Sequence, residues 1–240
     1  MTTTSIWTTT SSTYPPSSSS SSPAHLSATL IGGAEVLVTT RSDGDFAEEF
    51  PPRWVTLHQV HGSSVVFVNG AAPGRLLEGD ALVSASSDVI LAVRGADCPL
   101  IGLSSKEGVI AAVHAGWRGL LGGVIDHAAS SMREHGAHEI HGVLGPYVHP
   151  ECYTFSEGDL EVMVQSFGDG ARASAPSGEP ALDLLSCVKA CFSRAGIEMK
   201  GSLGGCTGCS PEFFSWRVRR EDGRHVLAIT RRTDGMSLTI

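Results

Sequence analysis

The sequence predicts an α+β fold: a single compact domain of mixed β-sheets with flanking helices, over residues 25–240. Strand-like and helix-like runs mix without the regular βαβ alternation of a doubly wound sheet. Twenty-eight glycines against 18% charged residues point to many tight turns and close backbone approaches, and a hydrophobic fraction of 41% suffices for a sizeable core. The chain of 240 residues shows no internal repeat and no second linker, so one domain is the economical reading.

Residues 1–24 are a low-complexity tract of Thr, Ser and Pro with a six-serine run at Ser17–Ser22. It cannot bury enough apolar surface to offset its ordering entropy, and is expected to be a disordered tail. Ala34–Thr40 and Trp54–Val60 read as strands, as does Ser64–Asn69, which shares a turn at His61-Gly62 with the run before it. Val89–Val93 and Val109–His114 are short apolar runs bounded by Gly and charge, the pattern of strands buried on both faces. Leu120–His135 has helical spacing, with Leu121, Val124, Ile125, Ala128 and Met132 on one face, and is entered through Gly116-Trp117-Arg118-Gly119. Ile140–Leu144 is a buried strand that stops at Gly145-Pro146. Leu160–Phe167 and Leu182–Ala195 read as helices, the second closed by Gly196. Phe213 to Ile229 has the pattern of a hairpin turning at Asp222-Gly223.

The net charge of −8 argues against nucleic acid as a partner unless a basic stripe exists, and the one dense cluster, near Arg217, Arg219 and Arg220, lacks interleaved aromatics. No run approaches the length of a membrane span, and the N-terminus lacks the regions of a secretory signal. The six cysteines (98, 152, 187, 191, 206 and 209) are therefore expected to be reduced, and the chain cytoplasmic. The sequence leaves the oligomeric state undetermined.

Three local signals carry chemistry. In Gln59-Val60-His61-Gly62 a His ends a strand beside a glycine. In Ala96-Asp97-Cys98-Pro99 a Cys leaves a buried strand before a proline. In Ala112-Val113-His114-Ala115-Gly116-Trp117-Arg118-Gly119 a His ends a buried strand at a glycine-rich turn. Strand ends place functional groups on rigid support. Two imidazoles and a thiolate suit a first-row metal, zinc by default, and leave a fourth position for water or substrate. The same groups work without metal, because an imidazole lowers a thiol's pKa and makes a nucleophile. A plainer reading stands beside these: such a His is commonly a satisfied polar group and such a Cys a small core residue. Arg118, after the Gly-Trp turn, is a candidate anion ligand, and Arg41 a weaker one. His58 faces opposite to His61 on a strand, and His135, His138 and His141 are read as loop and strand polar groups. Cys206 and Cys209 are spaced like half a zinc knuckle, but no second pair follows, which argues against a structural knuckle.

In order along the chain, Gln-Val-His-Gly, Asp80-Ala81-Leu82-Val83, Ala-Asp-Cys-Pro and Ala-Val-His-Ala-Gly-Trp-Arg-Gly resemble the YfiH family, also called the laccase-domain or polyphenol-oxidase-like family. Gly145-Pro146 through Tyr153, Leu182-Asp183-Leu184, Cys206-Thr207 and Phe213-Phe214-Ser215 continue the likeness, which runs from about residue 54 to 232. The resemblance implies a YfiH-like α+β domain whose pocket holds zinc on His61, Cys98 and His114. It also implies phosphorolysis of adenosine, inosine, guanosine or methylthioadenosine, and deamination of adenosine, with purine nucleosides and phosphate as the small-molecule partners. Copper chemistry, which the oxidase name implies, is disfavoured because this chain has no His-X-His pair. The chain departs from the family in an abbreviated stretch between Arg41 and Gln59, in Thr154 where an acidic residue is usual, and in Arg94-Gly95 where a hydrophobic-Thr pair is common. Two other functions compete: a Cys/His hydrolase acting on amide bonds, such as one that edits cell-wall precursors, and a catalytically inert zinc-binding module.

Overall fold

The computed structural model describes residues 25–45, 54–70, 77–231 and 238. The Ser/Thr/Pro tract of residues 1–24 lies outside them, as do residues 46–53 of the abbreviated stretch. The chain begins with β1 (His25–Leu30), β2 (Ala34–Thr39), β3 (Trp54–Val55), β4 (Leu57–His58), β5 (Val65–Phe67) and β6 (Leu77–Glu78). Then come β7 (Ala81–Ser84), β8 (Ile90–Gly95), β9 (Leu100–Ser105), β10 (Ile110–His114), α1 (Trp117–Leu121), α2 (Val124–Glu134) and β11 (Ile140–Leu144). The rest is α3 (Glu157–Phe167), β12 (Arg172–Ser174), β13 (Pro180–Leu182), α4 (Leu184–Ala195), β14 (Ile197–Ser202), α5 (Trp216–Arg219) and β15 (His225–Arg231).

Two sheets carry the architecture. One has five strands in the order β1-β2-β15-β8-β3, the other six in the order β14-β11-β9-β10-β7-β5. They lie face to face, and α2, α3 and α4 cover the outer face of the six-stranded sheet. Alternation along its strands shows this directly. Ala81, Val83, Ala111 and Val113 join the core formed with Val124, Ile125, Ala128, Met132, Val188 and Phe192 of the helices. Leu82, Ile110 and Ala112 point the other way, onto Val36, Val38, Leu91, Val93, Leu227 and Ile229 of the five-stranded sheet. A strand with core on both faces has no polar side, which is why these runs are continuously apolar. The sheets are mixed, with β11–β14 and β5–β7 parallel and the other pairings of the six-stranded sheet antiparallel. The α+β expectation holds.

The elements depart from expectation in two places. The helix expected over Leu120–His135 is two helices, broken at Gly122 and Gly123, the latter at φ 81, although the apolar face lands inward as its spacing requires. The hairpin expected over Phe213–Ile229 is absent. Ser215 accepts a hydrogen bond from the Val218 N–H and starts a short helix, and only β15 is a strand, paired with the distant β2 and β8. Capping chemistry at Ser215 outweighs the turn signal at Asp222-Gly223. The strands β1, β6, β7, β9, β12, β13 and β14 lie outside the expected strand runs, and Trp54–Val60 carries two short strands, β3 and β4, in different sheets.

Candidate active site

The three central residues lie at one end of the six-stranded sheet, at points where the chain changes element. His61 sits in the turn between β4 and β5, Cys98 in the crossover from β8 of one sheet to β9 of the other, and His114 is the last residue of β10. Two backbone bonds bring their segments together: the His114 N–H donates to the Asp80 carbonyl at 2.8 Å, and the Ala115 N–H to the Pro99 carbonyl at 2.9 Å. The donor atoms of His61, Cys98 and His114 all lie within 4.8 Å of one another. The imidazole rings meet edge to face at 4.8 Å between centroids. His114 is buried, Cys98 half-buried and His61 exposed.

A buried aspartate organises this cluster. Asp80 is fully enclosed, and its carboxylate accepts from the N–H groups of Val60 (3.3 Å), His61 (3.0 Å) and Gly62 (2.7 Å). Those bonds hold the turn in which His61 adopts φ 58, a left-handed conformation uncommon for a side-chain-bearing residue. The same carboxylate faces His114 Nδ1 at 2.8 Å, which leaves Nε2 for the cluster. Gln59 adds a second anchor: its side-chain amide donates to the Arg94 carbonyl and accepts from the Arg94 N–H, like a strand partner. Cys98 is positioned in the same manner by its neighbour Asp97, which sits at φ 88 and accepts from Thr207 Oγ1 (2.6 Å), Ser215 Oγ (2.8 Å) and the Arg217 N–H (2.6 Å). Gly116 closes the cluster from the side. A Cβ there would stand 3.2 Å from the His61 ring and 3.3 Å from the Cys98 sulfur.

The electrostatics follow from this packing. Burial opposes ionisation of the Cys98 thiol, but His114 and then His61 outweigh it and bring the pKa from 9.0 down to about 6. Burial likewise disfavours the charged form of His114, and the Cys98 sulfur and the Asp80 carboxylate override it, raising the pKa from 6.5 to about 9. Both shifts favour a thiolate facing an imidazolium. Asp80 stays ionised: desolvation works against it, and the bonds from His114 and the turn win. Two imidazoles, one of them backed by a carboxylate, and a polarised thiol form a donor set that fits zinc.

The cluster opens into a cavity of about 640 Å³. Arg94, Arg118, Arg217 and Arg224 line it, with Trp117 and Tyr153 among its aromatic walls. Arg118 lies 4.3 Å over the Trp117 ring and Arg217 4.6 Å over Tyr153. A guanidinium stacked on a ring keeps its N–H edges for an anion. Arg41 is placed elsewhere and corrects the expectation for it. It is outside the cavity lining, its guanidinium bound to Glu221 and to the Pro211 and Phe213 carbonyls, where it braces a loop. His58 also lines the cavity. Asp80, named in the sequence only within a family motif, Arg217, named only in a basic cluster, and Arg224 were given no role at the site. Asp80 did carry a signal, since a lone carboxylate opening an apolar strand needs a buried partner.

Residues 39–232 match the family described as multi-copper polyphenol oxidoreductase laccase. A Deinococcus radiodurans protein named purine nucleoside phosphorylase is 37% identical over 171 residues, which are 70% of this chain and 65% of the relative, so the chain spans just under two thirds of that protein's length. A Streptomyces coelicolor protein of the same name is 36% identical over 178 residues, 72% of this chain and 73% of the relative. Among solved structures, YlmD from Geobacillus stearothermophilus superposes with a TM-score of 0.72 at 27% identity, covering 84% of this chain and 93% of that one. The Bacillus licheniformis protein YfiH superposes with a TM-score of 0.77 over 88% of this chain and 98% of that one, at 22% identity, a likeness of fold.

Proposed function

The chain belongs to the family described as multi-copper polyphenol oxidoreductase laccase, the YfiH family, and from that premise we propose that it is a purine nucleoside phosphorylase with adenosine deaminase activity. Adenosine, inosine, guanosine and methylthioadenosine are its substrate class. The observation that carries this reading is the meeting of His61, Cys98 and His114 in a cavity lined by four arginines.

Phosphorolysis requires a held phosphate, a sugar that tolerates positive charge at its anomeric carbon, and a proton for the departing purine. Arg118 and Arg217, both exposed and each supported by an aromatic ring, are the phosphate ligands on this reading, with Arg94 and Arg224 adding positive field. His61, the exposed member of the cluster, exchanges the proton with substrate. His114 stands behind it, held protonated by its two anionic neighbours. Deamination of adenosine uses the same pair to move a proton from water to the leaving amine. Zinc held by His61, Cys98 and His114 would supply Lewis-acid charge and lower the pKa of water; the two imidazoles would then be neutral ligands, and the proton transfers assigned to them belong to the metal-free centre. Among the described residues the centre offers two imidazoles and one thiol and no further histidine cluster beside them, so a multicopper reaction has no place in this reading.

The test is turnover by the purified protein of adenosine and inosine, with and without phosphate and with and without chelator, following free base, ribose 1-phosphate and inosine. Phosphate-dependent release of base, abolished in His114→Ala, is expected. Zinc bound at the cluster with no turnover of any purine nucleoside would sink the reading and leave the inert module. The lowered pKa of Cys98 favours a second function, a hydrolase in which the thiolate attacks an amide, as in editing of a cell-wall precursor. Covalent trapping of Cys98 by an activated amide or ester would support it; full nucleoside turnover by Cys98→Ala would exclude an essential thiol from phosphorolysis.

A further inference from the structure

A second cluster of soft ligands lies behind the cavity. The Sγ atoms of Cys152, Cys206 and Cys209 are all within 4.8 Å of one another, and Cys152 and Cys209 are 3.3 Å apart. The four ligand atoms of a tetrahedral zinc–thiolate site sit about 3.8 Å from one another, since each is ~2.3 Å from the metal. The separations of the three sulfurs, 3.3 Å for one pair and within 4.8 Å for all, bracket that value, so small side-chain adjustments would seat a metal among them. Further donors stand beside them. Glu151 Oε1 is 3.6 Å from Cys209 Sγ, and His149 Nδ1 is 3.5 Å from the same carboxylate oxygen.

The backbone around the cluster is arranged as a knuckle. Cys206 and Cys209 bracket Thr207-Gly208 in one turn, and the His149 N–H donates to Cys206 Sγ at 3.3 Å. Gly208 lets Cys152 in: a Cβ at Gly208 would fall 2.6 Å from the Cys152 Cβ and 2.8 Å from its sulfur. Arg219 donates to the Thr207 and Gly208 carbonyls and holds the turn from outside. The knuckle that the Cys-Thr-Gly-Cys spacing left half complete finds its third thiol 54 residues upstream.

We propose that Cys152, Cys206 and Cys209 form a structural zinc site separate from the His61–Cys98–His114 centre, with the Glu151 carboxylate closing the fourth position and His149 orienting that carboxylate. Its place in the fold gives it a purpose. Cys152 precedes Tyr153, a wall of the cavity, and Cys206 precedes Thr207, whose hydroxyl bonds Asp97 beside Cys98. A metal there fastens the turn at 150–153 to the loop at 206–209, and through them steadies one wall of the cavity and the loop that presents Cys98. The ligands lose their thiol protons to solvent on binding and nothing is oxidised or reduced.

Zinc counted by mass spectrometry in the full chain purified under reductant tests this. We expect two equivalents in the natural sequence, one in His61→Ala/His114→Ala and one in Cys152→Ser/Cys209→Ser. Cobalt alone, added to the chelator-stripped His61→Ala/His114→Ala protein, should give the strong near-ultraviolet thiolate charge-transfer band and the visible bands of a tetrahedral site. Adding Cys152→Ser should remove most of that intensity. If the histidine variant fails to fold, the natural protein decides: two equivalents of cobalt must bind, and cobalt must protect Cys209, the exposed thiol of the three, from maleimide. A single equivalent of metal that leaves Cys209 fully reactive overturns the proposal. So does a Cys152–Cys209 disulfide in protein purified under reductant. Loss of nucleoside turnover alone bears on the other site and leaves this count unaffected.

Discussion

At Asp80 one buried carboxylate accepts from three backbone N–H groups and one imidazole, and so fixes the turn of His61 and the ring of His114 together. Asp80→Asn keeps the size but offers one acceptor oxygen where two were in use, and it removes the anion behind the imidazole. Metal affinity or turnover should fall about 10- to 100-fold with the fold intact, measured by chelator competition and circular dichroism; an unchanged affinity would refute the role. Cys98 gives a second expectation. In metal-stripped protein its rate of alkylation by iodoacetamide should rise with pH around an inflection near 6, far below its ordinary value of 9.0, and His114→Gln should move the inflection upward. Cys187 and Cys191, pushed up to about 12 and about 11 chiefly by burial, should stay unlabelled over that range. The three central residues were legible because each follows a strand-like run close to a glycine or proline, and because the motifs around them resemble a known family. Asp97 was not, because its partners Thr207, Ser215 and Arg217 lie at least 110 positions downstream, and no local pattern announces a bond of that span.

Among the elements, the five-residue helix α1 is placed by an absence of side chain. Gly119 faces the turn that carries His61, and a Cβ there would stand 2.7 Å from the Gly62 carbonyl oxygen, a backbone atom that cannot yield cheaply. Gly119→Ala should destabilise the protein by about 1–3 kcal/mol in urea unfolding and displace the His61 turn, seen as weakened metal binding. Gly158→Ala is the control. It lies in α3 with open space around its Cα, and should be neutral or stabilising by up to about 1 kcal/mol. Equal effects of the two would show that the close approach at Gly119 is unimportant. Helical spacing revealed which face of residues 121–132 is buried, because burial is a property of the repeat. The break at Gly122-Gly123 and the helix at Ser215 depend on contacts with other segments, and periodicity carries no record of them.

For the molecule as a whole, double-sided burial of the six-stranded sheet was visible in its apolar runs, whereas the order of strands within either sheet was not. Pairings such as β2 with β15 join residues nearly the whole domain apart. One consequence is acid sensitivity at His225. It begins β15, is buried, accepts from the Phe214 N–H at 2.8 Å, and lies against the Phe213 and Phe214 rings. Burial, only partly offset by the Phe214 carbonyl 3.2 Å from Nε2, pushes its pKa from 6.5 down to about 4. The folded state thus holds His225 neutral. Its contribution is fully present above pH ~6.5 and is lost as pH falls toward 4, on the order of 3 kcal/mol at the acid end. Urea unfolding at pH 7.5 and 4.5 should show a larger drop for the natural protein than for His225→Gln; equal drops would count against it.

β15 is the last of the described strands to leave the ribosome, yet it fills the middle of its sheet, between β2 and β8. Until it emerges those two strands wait with unpaired edges, on the order of ten to forty seconds after β2 at ordinary rates of synthesis. Arg217 and Arg224 arrive with the same late stretch. Neither the complete five-stranded layer nor the full arginine lining can exist in a nascent fragment that lacks this stretch, so the two are completed together once the last described strand has been made.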